Sequence, residues 1–184
     1  MEALDALLNR VSVPRLTDPA PNPAQREALF QAALRAPDHG QLRPWRFLTI
    51  EGAAREKLGE LFAEAVANKG DASQAALDKA RAMPMRAPLL IVVIARLQDH
   101  FKVPKLEQQL AAGCAAHGIL IAAHAQGIGA VWRTGDLAFD AHVHRGLGLE
   151  ANEEVIGYLY VGTPVNEPRT APILETADFV RAWE

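Results

Sequence analysis

Leu4, Leu7 and Leu8 recur at helical spacing, so the chain opens on a predicted short helix over residues 2–9. Val11, Val13 and Pro14 in NRVSVPR disfavour its continuation. Asn22 and Pro23 form an N-cap and first-turn pair, and Ala28, Leu29, Ala32, Ala33 and Ala36 make the expected buried stripe of a second helix ending at Pro37. Trp45–Glu51 alternates as a strand that Gly52 breaks. Leu58, Leu61, Phe62 and Ala65 mark a third helix closed by Gly70, and residues 73–82 predict another. PLLIVVIAR at 88–96 is a continuous apolar run, the pattern of a central strand covered on both faces. Lys105–Gln126 reads as one long alanine-rich helix with Gly127 at its C′ position. It carries almost no charge after Glu107, which predicts cover on most sides and a place at a subunit interface. A short strand at 129–134, a brief helix capped by Asp140 and a last strand at 154–162 follow. The remainder, TPVNEPRTAPILETADFVRAWE, is expected either to be disordered or to run across another surface.

Strands and helices mixed in this order over 184 residues predict a single α+β domain spanning residues 1–184. The composition, 49% apolar and 22% charged, is globular, and a net charge of −3 leaves no basic footprint for nucleic acid. Cys114 is the single cysteine, so no disulfide forms within the chain. The start MEALDALLNR carries Glu2 and Asp5, unlike a signal peptide, and the longest apolar runs fall short of the roughly 20 residues of a membrane span. These features predict a soluble, cytoplasmic protein.

Several chemistries lack their motif. GxGxxG after a strand, GxxxxGK[ST] and GxSxG are all absent, which removes the main support for dinucleotide-fold, P-loop and α/β-hydrolase readings. His142 with His144 and His117 with His124 have no HExxH or Cys-x-x-Cys company, and are expected as packed or surface imidazoles rather than metal ligands. Cys114 is expected as a small core residue rather than a nucleophile. What remains are polar and cationic groups at element ends: Arg10 and Ser12 after the first helix, Arg35 and His39 after the second, and Trp132 with Arg133 on a short strand. Each alone reads as a dipole partner, a turn hydroxyl or a core aromatic. Together they suit an anionic phosphate beside an electron-accepting ring.

At these residues the chain resembles the FMN-dependent nitroreductase family. NRVSVPR at 9–15 is similar to its R-x-S-x-R motif, and RAPDHGQLRPWRF at 35–47 to its segment running from Ala-Pro-Ser/Asp to Pro-Trp-x-Phe. The resemblance continues in order through KVPKLEQ at 102–108, the helix at 109–126, GIGAVWRTG at 127–135 and GYLYVGTP at 157–164. It covers nearly the whole chain, and the A-P-D-H and V-W-R-x-G signatures look like those of the small bacterial NAD(P)H nitroreductase subgroup. Val11 stands where many members have a second arginine, and His39 with Gly40 where Ser and Asn are frequent.

The resemblance implies a mainly antiparallel sheet flanked by helices, in a homodimer that exchanges its C-terminal tail and holds two FMN at the interface. It implies that Arg10 contacts the FMN phosphate or ribityl chain, with Ser12 beside it and the Val11 backbone between. Arg35 and His39 face the flavin, Pro37 and Asp38 shape the pocket wall, and Val131, Trp132 and Arg133 close the site from the other subunit. Arg169 is a secondary phosphate candidate. Ile121, Ala122, Ala123, His124, Ala125 and Gln126 are expected on the side where NAD(P)H and the acceptor bind. The chemistry resides at flavin N5, with no catalytic side chain and no metal: NADH or NADPH reduces FMN, which then reduces a nitroaromatic, quinone or similar acceptor in a ping-pong cycle. Dehalogenation, flavin fragmentation and non-catalytic flavin binding stay open beside this reading. A metal or hydrolytic role for Asp38 and His39 trails them.

Overall fold

The computed structural model describes residues 1–184. Its helices are α1 (Ala3–Asn9), α2 (Pro23–Ala33), α3 (Ala53–Ala67), α4 (Gln74–Ala82), α5 (Lys105–Ala125) and α6 (Ala141–Gly146); its strands are β1 (Leu16–Thr17), β2 (Trp45–Glu51), β3 (Leu89–Arg96), β4 (Gly129–Arg133) and β5 (Glu153–Pro164). The apolar run at 88–96 does form the heart of the sheet. Every residue of β3 from Leu89 to Ala95 is buried, with β2 on one side (Trp45↔Ala95 through Glu51↔Leu89) and β5 on the other (Leu89↔Val161 through Arg96↔Glu153). β4 pairs with the far edge of β5, from Gly129↔Gly162 to Arg133↔Tyr158, and β1 continues that edge at Thr163 and Pro164. All of these pairings are antiparallel, and helices cover both faces, which is the expected α+β class.

The alternation of side chains along β3 and β5 divides the core in two. Leu89, Ile91, Val93, Leu159 and Val161 pack under α2 and α5 against Leu29, Ala33, Ala112, Ala116 and Ile119. Leu90, Val92, Ile94, Tyr158 and Tyr160 pack under α3 and α6 against Leu58, Phe62, Ala65 and Val143. α2 and α5 run so close that a Cβ at Gly118 would lie 2.9 Å from the Ala32 carbonyl oxygen, so only glycine fits that seam. The caps match the sequence signals. Asn22 and Gln25 form a reciprocal capping box on α2, and the Asp140 carboxylate accepts from the His142 and Val143 amides to start α6.

Three expectations about the helices need correction: the end of α2, the burial of Ala28 and the burial of Cys114. α2 stops at Ala33 and turns through Leu34–Ala36 rather than reaching Pro37, because the residue before a proline is pushed out of the helical region. Ala28 faces outward, so the buried stripe of α2 is carried by Leu29 and Ala33. In α1 only Ala6 is buried, while Leu4, Leu7 and Leu8 stand 68%, 53% and 71% exposed. Cys114 is exposed rather than in the core. The reason is that α5 uses Ala111, Ala112, Ala115, Ala116 and Ile119 to face the sheet and turns Leu106, Leu110, Cys114 and His117 outward. Within a single chain the charge-poor helix is therefore covered by the sheet and by α2, and its outer side is open.

Beyond β5 the Val165 amide donates to the Arg15 carbonyl at 3.1 Å, and residues 166–184 form neither strand nor α-helix, with one tight turn at Thr176–Asp178. Their apolar side chains have nothing of this chain to rest on: Ile173 is 93% and Trp183 100% exposed. No helix is long and apolar enough to cross a membrane.

Candidate functional site

α1 ends at Asn9, and Arg10 takes an extended backbone that carries the chain along the edge of β4, where the Val13 amide donates to the Ala130 carbonyl at 2.9 Å. Extended geometry sends successive side chains to opposite sides, so Val11 is buried while Ser12 faces out. Two clefts flank this segment. The larger, about 440 Å³, is lined by Ser12, Arg15, Glu167 and Arg169 together with Val13, Pro14, Asn166 and Pro168, and the Val165–Arg15 bond brings its two halves together. The smaller, about 230 Å³, has Arg10, Val11, Leu120, His124 and Ala130 among its walls. His124 Nε2 is buried there without a hydrogen-bond partner. A buried nitrogen left without a hydrogen-bond partner costs about 1–3 kcal/mol. None of Arg10, Arg15 and Arg169 is held in an ion pair, although Glu167 shares the larger cleft.

The family-like motif is shifted here. Pro14 occupies the position of the second motif arginine, and Arg15 follows one residue later, yet Arg15 still reaches the cleft that holds Ser12.

A second group gathers after α2. The Asp38 carboxylate accepts from the Leu42 amide at 3.1 Å and from the Arg43 amide at 2.7 Å, closing a tight loop whose Gly40, Gln41 and Arg43 have φ of 77°, 54° and 49°. His39 Nδ1 sits 2.7 Å from Glu107 Oε2, tying this loop to the first turn of α5. Arg35, Asp38, Gln41, Arg43 and Trp45 line a cleft of about 520 Å³; Pro37 is exposed beside it.

On β4 the three predicted residues divide between the faces of the sheet. Val131 is buried in the core beneath α3, leaving only its backbone available to a ligand. Trp132 lies on the α5 side against Gly113 and over Gly157, where its indole leaves no room for a Cβ. Arg133 returns to the Val131 face; its guanidinium carbon is 5.9 Å from the Tyr160 ring centre, and its Nε is buried without a partner. Burial pushes the Tyr160 phenol above its ordinary pKa, and the charges of Arg86 and Arg133 oppose that rise. None of the three lines the clefts around Arg10–Arg15 or the one after α2.

The run from Ile121 to Gln126 likewise splits around its helix. Ala123 is in the core, Ala125 is exposed, the Gln126 side chain donates to the Ala122 carbonyl at 3.1 Å, and His124 alone of the six lines the cavity with Arg10. The other histidines have ordinary surroundings: His142 Nε2 is 2.8 Å from Glu64, His144 Nε2 is 2.7 Å from the Ala138 carbonyl, and His117 is exposed. Arg15 and Arg43 line the clefts without having been singled out in the sequence. A guanidinium without a carboxylate partner is visible only once the fold has placed every acid.

Within one chain, then, Arg10, Ser12, His124 and Arg169 meet in adjoining clefts, and Arg35 and Asp38 meet in another. The profile of the Nitroreductase family matches residues 7–163. The chain belongs to the nitroreductase family. A protein of Escherichia coli K12 bearing the provisional name NAD(P)H nitroreductase YdjA is 39% identical over 181 residues, which cover 95% of this chain and 98% of that one. Among solved structures, a nitroreductase-like family protein of Bacillus cereus superposes with a TM-score of 0.85 at 22% identity, covering 100% of this chain and 97% of the other. A Desulfovibrio desulfuricans protein, provisionally a nitroreductase and solved in complex with FMN, does so with a TM-score of 0.76 at 21% identity, over 100% and 98%.

Proposed function

We propose that this nitroreductase-family chain is an FMN-dependent oxidoreductase that takes electrons from NAD(P)H and passes them to a nitroaromatic, quinone or similar acceptor by a ping-pong cycle. The observation that carries the proposal is the set of unneutralised arginines around Ser12, at the segment that resembles the family's phosphate-binding motif. The name of the Escherichia coli relative and the FMN complex of the Desulfovibrio protein support it.

The residues present suit FMN. A phosphate dianion matches guanidinium forks and a hydroxyl, and His124 Nε2, in the wall of the cleft that Arg10 also lines, is a buried polar atom without a partner. In this reading Arg10 and Ser12 hold the phosphate, with Arg169 as a further cation, and buried Val11 fixes the backbone between the first two. Arg35 and His39 face the ring. Pro37 and Asp38 shape the wall, Asp38 by closing the loop with its carboxylate. The backbone of Val131, the indole of Trp132 and the guanidinium of Arg133 close the site from a second subunit, where the buried Arg133 Nε gains an acceptor. The Ile121–Gln126 end of α5 borders the space for donor and acceptor, chiefly through His124. Bound FMN would supply a two-electron carrier between the nicotinamide and the acceptor. Arg35 would place fixed positive charge beside the ring, Arg10 and Arg169 would place it at the phosphate, and solvent would supply the protons.

The active unit in this proposal is a homodimer in the cytoplasm. The exposed leucines of α1 (Leu4, Leu7, Leu8) and of α5 (Leu106, Leu110) are apolar surface for a second chain to cover, and the C-terminal tail lies across that partner.

Anaerobic mixing of the FMN-loaded protein with NADH and with NADPH tests the proposal. Loss of the yellow flavin absorbance with at least one donor, and its return on adding an acceptor, is the expected result. Protein that takes up no FMN, or whose flavin neither donor bleaches, overturns it.

A further inference from the structure

We infer that Phe101 and Lys102, at the tip of the loop that joins β3 to α5, form a shelf beside the flavin ring that selects aromatic acceptors bearing an anionic group. This rests on the flavin-reductase reading above, which sets His39 at the ring, and on the following geometry for the shelf itself.

Residues 97–104 have no regular secondary structure, yet their backbone is fastened along its length. Gln108, 1% exposed, accepts from the Gln98 amide at 2.8 Å and donates to the Gln98 and Val103 carbonyls at 2.8 and 3.2 Å. One buried side-chain amide thus clamps both ends of the loop. The Asn152 side chain donates to the Leu97 carbonyl at 2.8 Å, and His100 Nδ1 accepts from the Lys102 and Val103 amides at 3.2 and 3.1 Å. Leu97 and Val103 are buried on either side of the tip.

Phe101 stands 88% exposed at that tip. Fixing a loop costs conformational entropy, and here the fixed backbone holds an apolar ring out of the core rather than in it. A rigid support under a side chain that does nothing for its own fold is the arrangement of a ligand contact. Its neighbours extend the surface: the His100 ring is centred 4.8 Å from the phenyl at 32°, and Lys102 Nζ is 5.6 Å from the phenyl centre. Lys102 takes part in no ion pair. The acids nearest in sequence are already engaged, Asp99 with Lys105 at 3.3 Å and Glu107 with His39 at 2.7 Å.

The loop abuts the segment that carries His39. A Cβ on Gly40 would lie 3.2 Å from Val103 Cγ2 and 3.9 Å from His100 Cε1, and Gln98 Nε2 donates to the Leu42 carbonyl at 3.0 Å. His100 therefore sits between Gly40 and Phe101, which puts the phenyl on the side of the site where His39 faces the ring. A flat acceptor stacks on an aromatic face, and an ammonium beside that face meets a carboxylate carried by the acceptor. The pair of ring and unpaired cation favours aromatic acids over their neutral counterparts.

Titration of the FMN-loaded, oxidised, full-length protein with p-nitrobenzoate and with its methyl ester, followed by the flavin difference absorbance, tests this without turnover. Both ligands are expected to perturb the flavin, the acid binding about threefold tighter than the ester. Phe101→Ala should weaken both by about 3- to 10-fold, and Phe101→Trp, which keeps a flat ring, should restore them. Lys102→Gln should remove the preference for the acid and leave the ester unchanged. Wild-type affinities in Phe101→Ala overturn the inference, as does a preference for the acid that survives Lys102→Gln. Binding that leaves the flavin spectrum unperturbed overturns it by placing the ligands elsewhere. Loss of FMN itself from Phe101→Ala overturns it by assigning the phenyl to the flavin. Wild-type protein that holds no FMN, or whose flavin neither NADH nor NADPH bleaches, removes the proposed function and the shelf with it. Flavin that a donor bleaches, with ligand binding indifferent to Phe101, removes the shelf alone.

Discussion

The two ends of β5 use arginine in opposite ways. At its start Glu153 is buried, takes both Nε and Nη2 of Arg46 at 2.7 and 2.6 Å, and has Arg96 Nε at 3.4 Å. At its end, past Pro164, the chain meets the Arg10–Arg15 segment, and Arg10, Arg15 and Arg169 gather with no carboxylate bound to any of them. The side chain is the same in both places; the difference is whether the fold itself supplies the anion. Where it does, the arginine locks β2, β3 and β5 together. Where it does not, the charge stays open, and in the proposed function it meets the phosphate of FMN.

The largest effect that could break the contrast is at the locked end. Glu153→Ala leaves the Arg46 fork without its carboxylate and removes the acceptor for the Glu150 amide, so it is expected to destabilise the fold by about 3 kcal/mol in chemical denaturation. A loss below about 1 kcal/mol would mean that this end is no more structural than the other. At the open end Arg10→Ala should move the balance the other way: FMN affinity is expected to fall by about 10- to 100-fold, with unfolding free energy changed by no more than about 0.5 kcal/mol. An equally large loss of stability would erase the distinction.

Acid sharpens it further. The hydrogen bonds from Arg46 hold the Glu153 carboxyl below its ordinary pKa against the opposing effect of burial, and those from Arg26 do the same for Glu51. Because the folded value is depressed, the stabilisation is fully present above the unfolded value of about 4.3 and is lost as pH falls through the folded one. Denaturation midpoints should therefore hold steady down to about pH 5 and decline below about pH 4, and Glu153→Gln should flatten that decline. The smallest effect is expected at Glu51→Gln. Its bidentate pair with Arg26 is partly exposed and should contribute about 1 kcal/mol or less in thermal or chemical melts.

What could be read from the sequence follows from what local chemistry determines. The β3 run, the Asn22 and Asp140 caps and the span of α5 rest on periodicity and capping, which neighbours in sequence settle. Which stripe of a helix faces its own sheet is not a local property. Leu4, Leu7 and Leu8 make a good apolar stripe yet face outward, and Cys114 shares the outer side of α5. The site divides in the same way. Arg10, Ser12 and Arg35 were legible as candidates, through resemblance to a family motif and as polar groups at element ends, and the fold brings each to a cleft. The availability of Arg15 and Arg43 was not, because it depends on where the fold sends Glu51, Glu60, Asp38 and Glu153. Val131 shows the reverse: it lies within the family-like motif, yet its side chain belongs to the core.

The central claim is that the unpaired arginines at the open end of β5 bind the phosphate of a flavin nucleotide. Its most direct test compares the affinity of the apoprotein for FMN and for riboflavin, which differ by that phosphate, in wild type and in Arg10→Ala. The account predicts that wild type prefers FMN by about 100-fold and that the substitution removes at least about tenfold of the preference while leaving riboflavin binding in place. Equal affinity of wild type for the two flavins, or a preference untouched by Arg10→Ala, would contradict it.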